Sequence, residues 1–521
     1  MICEEEIHPN IERIKVSRKG AEARIGDVKP VRQKATDPAE IFHKNLKYGS
    51  PARGKWTIAH SPMLIPECHE IYVCCPCCLQ GVVLSAEEIP EGFGRFSMVT
   101  VTNENVLKGN LESMMIDGVT DIINGLPKRP KCVECFTSCI QHFLHIDLKV
   151  VYRTLSERFP DIDFIDGYMV PTLQRRFTPD TLGRRQLVRA VKPQPKKKAV
   201  NLAVNYCPTD PESELLTILR AGGYEVHDFA ACPTYDEYQA MGSSVANLYF
   251  TENSEPAVLD MEKRLGQKPV PALYTWDPDE IGETYEKIAD ALGIGLNDER
   301  LQQTLCDGRE KAERSYIELK EAIGDMPVAI DVTATPRPFN LARVLLDHGI
   351  KVYVVYADVV ADSDRRDYDD LASRYPEMLL RSMENYKMRL FPRDDDEKIG
   401  PVLAIGQKAA YFTGAERFVN MEENGGEFRF TPDGAAVVGC EEAADNFRHP
   451  DPELHEVELY GFEGIVKLVS MMKYAASHPA DVSRVIQVKA WGCRGDAPER
   501  ARMLLQETSC SCPGPASERG N

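Results

Sequence analysis

The chain has 521 residues and a formal net charge of −19, from 62 Lys and Arg against 81 Asp and Glu. Its apolar share of 43% and charged share of 27% are those of an ordinary globular protein, and at about 150 residues per domain the length suggests about three domains. The acidic balance argues against a nucleic-acid or membrane binder; the sequence shows no apolar run of about 18 residues and no signal-peptide pattern at its acidic start, which points to the cytoplasm.

Residues 1–55 are charged and weakly patterned and read as an N-terminal arm that wraps a partner or another domain. Residues 56–191 read as a first α/β domain. Within it, 97–101 is a buried strand and 109–123 a helix with Leu111, Met114, Met115, Val119 and Ile122 on one face. A strand over 131–136 leads to a turn bearing Cys139. Asp147 then N-caps a helix carrying Leu148, Val151, Leu155 and Phe159, and 162–165 is a third strand. This βαβ rhythm implies a parallel sheet.

The basic, proline-containing stretch 192–198 opens the second unit, 192–324. It offers strands at 199–204, 224–229, 247–251 and 271–275, and helices at 211–221, 256–265, 279–292 and 298–323. The third unit, 325–505, offers strands at 327–332, 351–356 and 401–405, a helix at 338–348 closed by Gly349, and a late helix at 461–474. Residues 506–521 read as a flexible tail. The fold class expected is α/β, with three doubly wound, Rossmann-like domains and parallel sheets. Ligands of such sheets bind beyond the carboxyl ends of the strands.

The cysteines carry the chemistry. Of 16, eight lie between positions 68 and 139: Cys68, Cys74, Cys75, Cys77, Cys78, Cys132, Cys135 and Cys139. Without a secretory signal, such crowding favours metal over disulfides. Three readings compete. Cys75-x-x-Cys78 with Cys132-x-x-Cys135 has the form of a zinc site, although alternation along a strand would turn Cys132 and Cys135 to opposite faces. An iron–sulfur cluster needs thiolates where a strand gives way to a helix, and Cys139 stands at such a place. A buried cysteine can also be a small hydrophobe without chemistry, the reading taken for Cys3, Cys132, Cys207, Cys232 and Cys440. Five cysteines between 68 and 78 are hard to explain that way.

The stretch from Cys78 through Thr102-Asn-Glu-Asn-Val-Leu-Lys-Gly109 to Thr137-Ser-Cys139 resembles the component 1 proteins of nitrogenase and its relatives. In that family a turn supplies one cluster ligand, a Thr-Glu-x-x-Val-x-x-Gly-Gly motif and a helix follow, and a strand ends in a Ser/Thr-x-Cys ligand. The segment 327–356 and the turn Tyr460-Gly-Phe-Glu-Gly464 also resemble family features. There are departures: residues 49–60, where the family has a further ligand, contain no cysteine, and Cys-Cys-Pro-Cys replaces a glycine-rich turn before Cys78. The chain resembles the nitrogenase-like reductases more than a molybdenum nitrogenase.

The resemblance implies a [4Fe–4S] or larger fused iron–sulfur cluster held by Cys68, Cys75, Cys78 and Cys139, with Cys74, Cys77 and Cys135 as alternates. A further metal cofactor is compatible with it. His449 and His455 fall near the late loop expected to face the substrate cavity. The implied partners are an ATP-hydrolysing, NifH-like iron–sulfur reductase and a second component 1 subunit, as a homodimer or in a heterodimer or heterotetramer with a sister chain. The absence of G-x-x-x-x-G-K-[ST] from this chain fits that division of labour. The implied activity is reduction of a substrate with low-potential electrons. The alternatives are a scaffold that assembles a metal cofactor, and a zinc-stabilised α/β binding protein without redox chemistry.

Overall fold

The computed structural model describes residues 18–32, 38–43, 46–50, 52, 58–76, 78–79, 82–83, 92–168, 177–391, 399–422, 425–430, 436–437 and 454–480. Its main strands, in chain order, are β1 (Glu22–Arg24), β2 (Cys68–Cys74), β3 (Phe96–Thr100), β4 (Cys132–Thr137), β5 (Asp163–Tyr168), β6 (Ala199–Leu202), β7 (Glu225–Asp228), β8 (Ala246–Tyr249), β9 (Lys268–Pro271), β10 (Val328–Asp331), β11 (Val352–Tyr356), β12 (Leu379–Arg381), β13 (Leu403–Ile405), β14 (Arg417–Val419), β15 (Gly425–Phe430) and β16 (Leu454–Glu458).

They form three sheets ordered β3-β2-β4-β5, β9-β8-β6-β7 and β1-β12-β11-β10-β13-β14. Every neighbouring pair is parallel except β1 against β12. A smaller antiparallel sheet joins β15 to β16 and two short strands. Among the described residues no helix is long and apolar enough to cross a membrane.

The helices form where the apolar spacing places them. Helix α1 (Leu111–Gly125) buries Leu111, Met115, Ile116, Val119 and Ile123 against the first sheet. Each such side chain contributes about 1.5–3 kcal/mol when fully buried, so Met115→Asp would loosen this face. Helix α2 (Cys139–Phe143) is a single short turn, and α3 (Leu148–Arg158) begins at Asp147, whose carboxylate accepts from Lys149 N at 3.0 Å and Val150 N at 3.2 Å. Around the second and third sheets lie α4 (Glu214–Ala221), α5 (Pro278–Leu292), α6 (Glu299–Ile323), α7 (Pro338–Asp347) and α8 (Gly461–Ser477). Buried polar contacts tie those two sheets together. Trp276 Nε1 donates to Thr335 Oγ1 at 3.0 Å, and Arg337 bridges Glu280 and Asp367. These buried charges are compensated in place, which is what makes their burial tolerable.

Three features depart from the expectations. The central strand β2 is buried at all seven positions, yet His69 and Glu70 interrupt its apolar pattern. Inside the sheet His69 Nε2 meets Ser97 Oγ at 2.7 Å and Glu70 Oε2 accepts from the Tyr72 hydroxyl at 3.0 Å, while Glu70 Oε1 is buried without a partner. The fourth strand of the second sheet is Lys268–Pro271, earlier than 271–275; its two prolines are accommodated because it is an edge strand. The N-terminal arm is built into the third sheet. Its strand β1 pairs with β12, and the Arg381 guanidinium, fully buried, donates to Glu22 at 2.6 Å.

Each sheet has one place where successive connections leave in opposite directions: between β2 and β4, between β6 and β8, and between β10 and β13. These are the topological switch points, where loops splay apart beyond the strand ends. In the third sheet that space is closed by the chain itself. The buried Asp331 carboxylate accepts from Thr333 N at 2.8 Å, Ala334 N at 3.1 Å and Ala409 N at 2.7 Å. Gly406, at φ +100°, passes so near that a Cβ there would lie 2.3 Å from Asp331 Oδ2.

Candidate functional site

The switch point of the first sheet carries cysteine on both sides. The β2/β4 ladder pairs Cys68 with Cys132 and runs to Val73 opposite Thr137. Continuing that register two residues past its end sets Cys75 opposite Cys139. Cys78 follows one turn later, its N–H donating to the Cys75 carbonyl at 3.0 Å. Cys75 and Cys139 are half-buried and Cys78 is exposed.

The Cys139 turn is fixed from below. Gln141 is buried, donates to the Val73 carbonyl at 2.6 Å, and accepts from Ser138 N at 2.9 Å and Ser138 Oγ at 2.8 Å. One amide side chain therefore pins the turn after β4 to the last residues of β2. The same rim exposes large apolar side chains on the segments that follow β3 and β4: Leu107 is 87% exposed, Phe143 64% and Leu144 45%. The two segments are held to each other where Asp147 N donates to Glu112 Oε1 at 3.0 Å.

The remaining sequence candidates lie elsewhere. Cys68 stands at the amino end of β2, paired with Cys132 and buried in an apolar cluster with Ile65, Tyr235 and Tyr238. At about 3.3 Å per residue, that is roughly 23 Å along the strand from Cys75. The structure thus separates Cys68 from the other cysteines grouped with it, because the whole of β2 runs between them. The hydrogen bond between the Cys68 and Cys132 thiols, together with burial, raises Cys132. Cys135 faces the helix-covered side of the sheet at 0% exposure, where burial raises its thiol, so it too is away from the rim. Cys132 and Cys135 occupy opposite faces, as alternation requires, which removes the zinc pairing of those two. Cys74 is buried beside Tyr72 and Phe136.

Cys77 and His449 lie outside the described residues. His455 falls on β16, opposite Phe428 in the ladder, rather than on a loop. None of the ten described cysteines is in a disulfide. Among the described residues, no three Cys, His, Asp or Glu side chains converge as a complete metal site. What the rim presents is a thiol just past the end of each of the two strands, Cys75 and Cys139, and Cys78 one turn on from Cys75. Sulfur donors of this kind suit soft metals and iron–sulfur clusters, so the donor chemistry fits the implied cluster as a partial ligand set.

Sequence reasoning missed Gln141, although Ser138-x-x-Gln141 is a capping-box pattern that could have flagged it.

A sequence model of the family described as nitrogenase component 1 type oxidoreductase matches residues 124–417, more than half of the chain. The matched span includes Cys139 but begins after Cys78. No curated protein matches the sequence. Among solved structures, one described as "Nitrogenase Cp1 at pH 6.5" superposes with a TM-score of 0.59 at 13% identity, covering 84% of this chain and 95% of that one. A second, "Nitrogenase Cp1 at pH 5", gives 0.57 at 12% identity over 93% and 99%. At such identities the likeness is one of fold.

Proposed function

The chain belongs to the nitrogenase component 1 type oxidoreductases, and from that premise we propose that it is the catalytic component of an ATP-dependent, two-component reductase. Component 1 proteins work with a NifH-like reductase in heteromeric assemblies. We assign Cys75, Cys78 and Cys139 as this chain's ligands to an iron–sulfur cluster, with Cys74 and Cys77 as alternates and Cys68 and Cys135 set aside on geometry. A cluster bound there would supply single-electron relay between the reductase partner and the substrate. Leu107, Phe143 and Leu144 would seat a second component 1 subunit, whose own ligands would complete the set. Gln141 holds the Cys139 turn in place, and the apolar rim, once covered, excludes water from the thiolates.

This reading is supported by the β2/β4 ladder, which ends at Val73 and Thr137 two residues before Cys75 and Cys139, and by exposed Leu107, Phe143 and Leu144 on the same rim. The test is iron, zinc and acid-labile sulfide on protein purified without oxygen, with an EPR spectrum before and after dithionite. Iron and sulfide in equal amounts with a reducible signal are expected, as is electron uptake from an ATP-hydrolysing partner. Zinc without sulfide would overturn the reading.

A further inference from the structure

The turn that bears Cys139 carries a second donor. Helix α2 advances by about 100° per residue, and its inner side is fixed by what it touches. Gln141 is buried and donates to the Val73 carbonyl, and Ile140 packs, partly buried, against the apolar cluster under α1 and α3. Cys139, His142 and Phe143 share the opposite, outward side, with His142 about 60° to one side of Cys139 and Phe143 about 40° to the other. Residues three apart on a helix are neighbours, their Cβ atoms about 5–6 Å apart. The shape of the turn is held by its backbone. Leu144 N donates to Ile140 O at 3.1 Å and Ile146 N to Gln141 O at 3.2 Å, and His145 closes it in the left-handed region at φ +52°.

His142 and Phe143 are both exposed. The His142 imidazole makes ring contacts with Phe143 and His145, at 6.3 and 6.2 Å between centroids, and no hydrogen bond to a described residue occupies its nitrogens. A neutral imidazole in that condition offers a ring nitrogen to a metal. The spacing of Cys139-x-x-His142 repeats that of Cys75-x-x-Cys78 on the other side of the switch point. Ligands two residues apart recur in iron–sulfur binding segments, and in Rieske-type centres imidazole replaces thiolate on iron and raises the potential. A cubane takes four donors, whereas the thiols of Cys75, Cys78 and Cys139 are three. As the side chains stand, no three donors converge. Cys78 and His142 are exposed, so closing on a shared group takes side-chain rotation alone.

We propose that His142 is a further cluster ligand of this chain, its imidazole bound to an iron beside the one held by Cys139. This rests on the iron–sulfur reading above and raises this chain's share of the ligand set from three donors to four. The bond is coordinate, from a ring-nitrogen lone pair to iron, and consumes no electron. A neutral donor in place of a thiolate leaves the cluster one negative charge poorer and so easier to reduce.

The test is pulsed EPR of the full-length protein, purified without oxygen and reduced with dithionite, read for nitrogen hyperfine coupling, with iron and sulfide measured on the same samples. The wild type should show the strong coupling of a nitrogen bound to iron, and His142→Ala should lack it. The second variant, His142→Cys, should keep the iron, lose the coupling and shift the midpoint potential downward. Iron-loaded wild type without that coupling would overturn the assignment of His142 and leave the reductase reading standing. Coupling that survives either variant, or equal loss of iron from both, would do the same. Wild-type protein free of iron and sulfide would overturn both readings.

Discussion

Strands β2 and β4 each carry a cysteine at their amino end and another just past their carboxyl end, in one register. Cys68 faces Cys132, and the ladder ends at Val73 opposite Thr137, two residues before Cys75 and Cys139. The residue types and spacing are the same, yet the environments differ. The first pair is sealed in an apolar cluster with exposures of 2% and 0%. The second reaches solvent where the loops of the sheet diverge. A thiol must ionise to ligate or react; within the sealed pair Cys132 is raised by its hydrogen bond to Cys68 and by burial, whereas that hydrogen bond and the Arg95 charge lower Cys68. The comparison teaches that position along the strand, and not cysteine count, separates a sealed pair from one that reaches the sheet's rim.

The largest effect that would sharpen this contrast is on assembly. Replacing Leu107 and Phe143 together with Asp should convert the associated protein to a smaller species in sedimentation and strip its iron. An unchanged sedimentation coefficient would separate the rim from the subunit interface. Next is the pH response of a buried group remote from either cysteine pair. Glu214 accepts from Tyr285 Oη and Glu463 N, each at 3.1 Å, and burial raises it to about 7 from an ordinary 4.5. The folded state therefore holds a proton that the unfolded chain releases between those values. Its contribution to stability is full below about 4.5 and is lost as pH rises through about 7. The span corresponds to something on the order of 3 kcal/mol. Chemical denaturation from pH 4 to pH 8 should show this slope in wild type and a flatter one in Glu214→Gln.

Smaller again is Gln141→Ala. It leaves Ser138 N–H and the Val73 carbonyl unmet in a buried position, for a loss of about 1–3 kcal/mol read as a lower Tm. Because Gln141 pins the Cys139 turn, iron retention should fall as well, which a purely structural residue distant from the rim would not cause. The smallest effect is at the buried end. Cys68→Ala or Cys132→Ala should cost about 1 kcal/mol as an ordinary core substitution.

Much of the fold was legible because its strands and helices keep clean periods. The helix over 109–123 and the Asp147 cap fall where apolar spacing and capping chemistry put them. What was hidden had its explanation far away in the chain. Strand β2 gives no strand signal in the sequence because Cys68, His69, Glu70 and Cys74 obscure its apolar alternation, and the Ser97 and Tyr72 partners are visible only in the sheet. Strand β12 ends in Arg381, a residue that reads as exposed until Glu22, at the other end of the chain, is placed beside it. For the site, the sequence grouped seven cysteines but could not sort them. The register of β2 against β4 separates the buried Cys68–Cys132 pair from the rim cysteines, and no local pattern encodes it.

The measurement that tests the central claim most directly is iron and acid-labile sulfide in Cys139→Ala beside Cys132→Ala, both purified without oxygen. The account predicts that Cys139→Ala loses the cluster while Cys132→Ala keeps the wild-type content. Equal iron in the two, whether retained or lost, would contradict the assignment of chemistry to the rim and packing to the buried end.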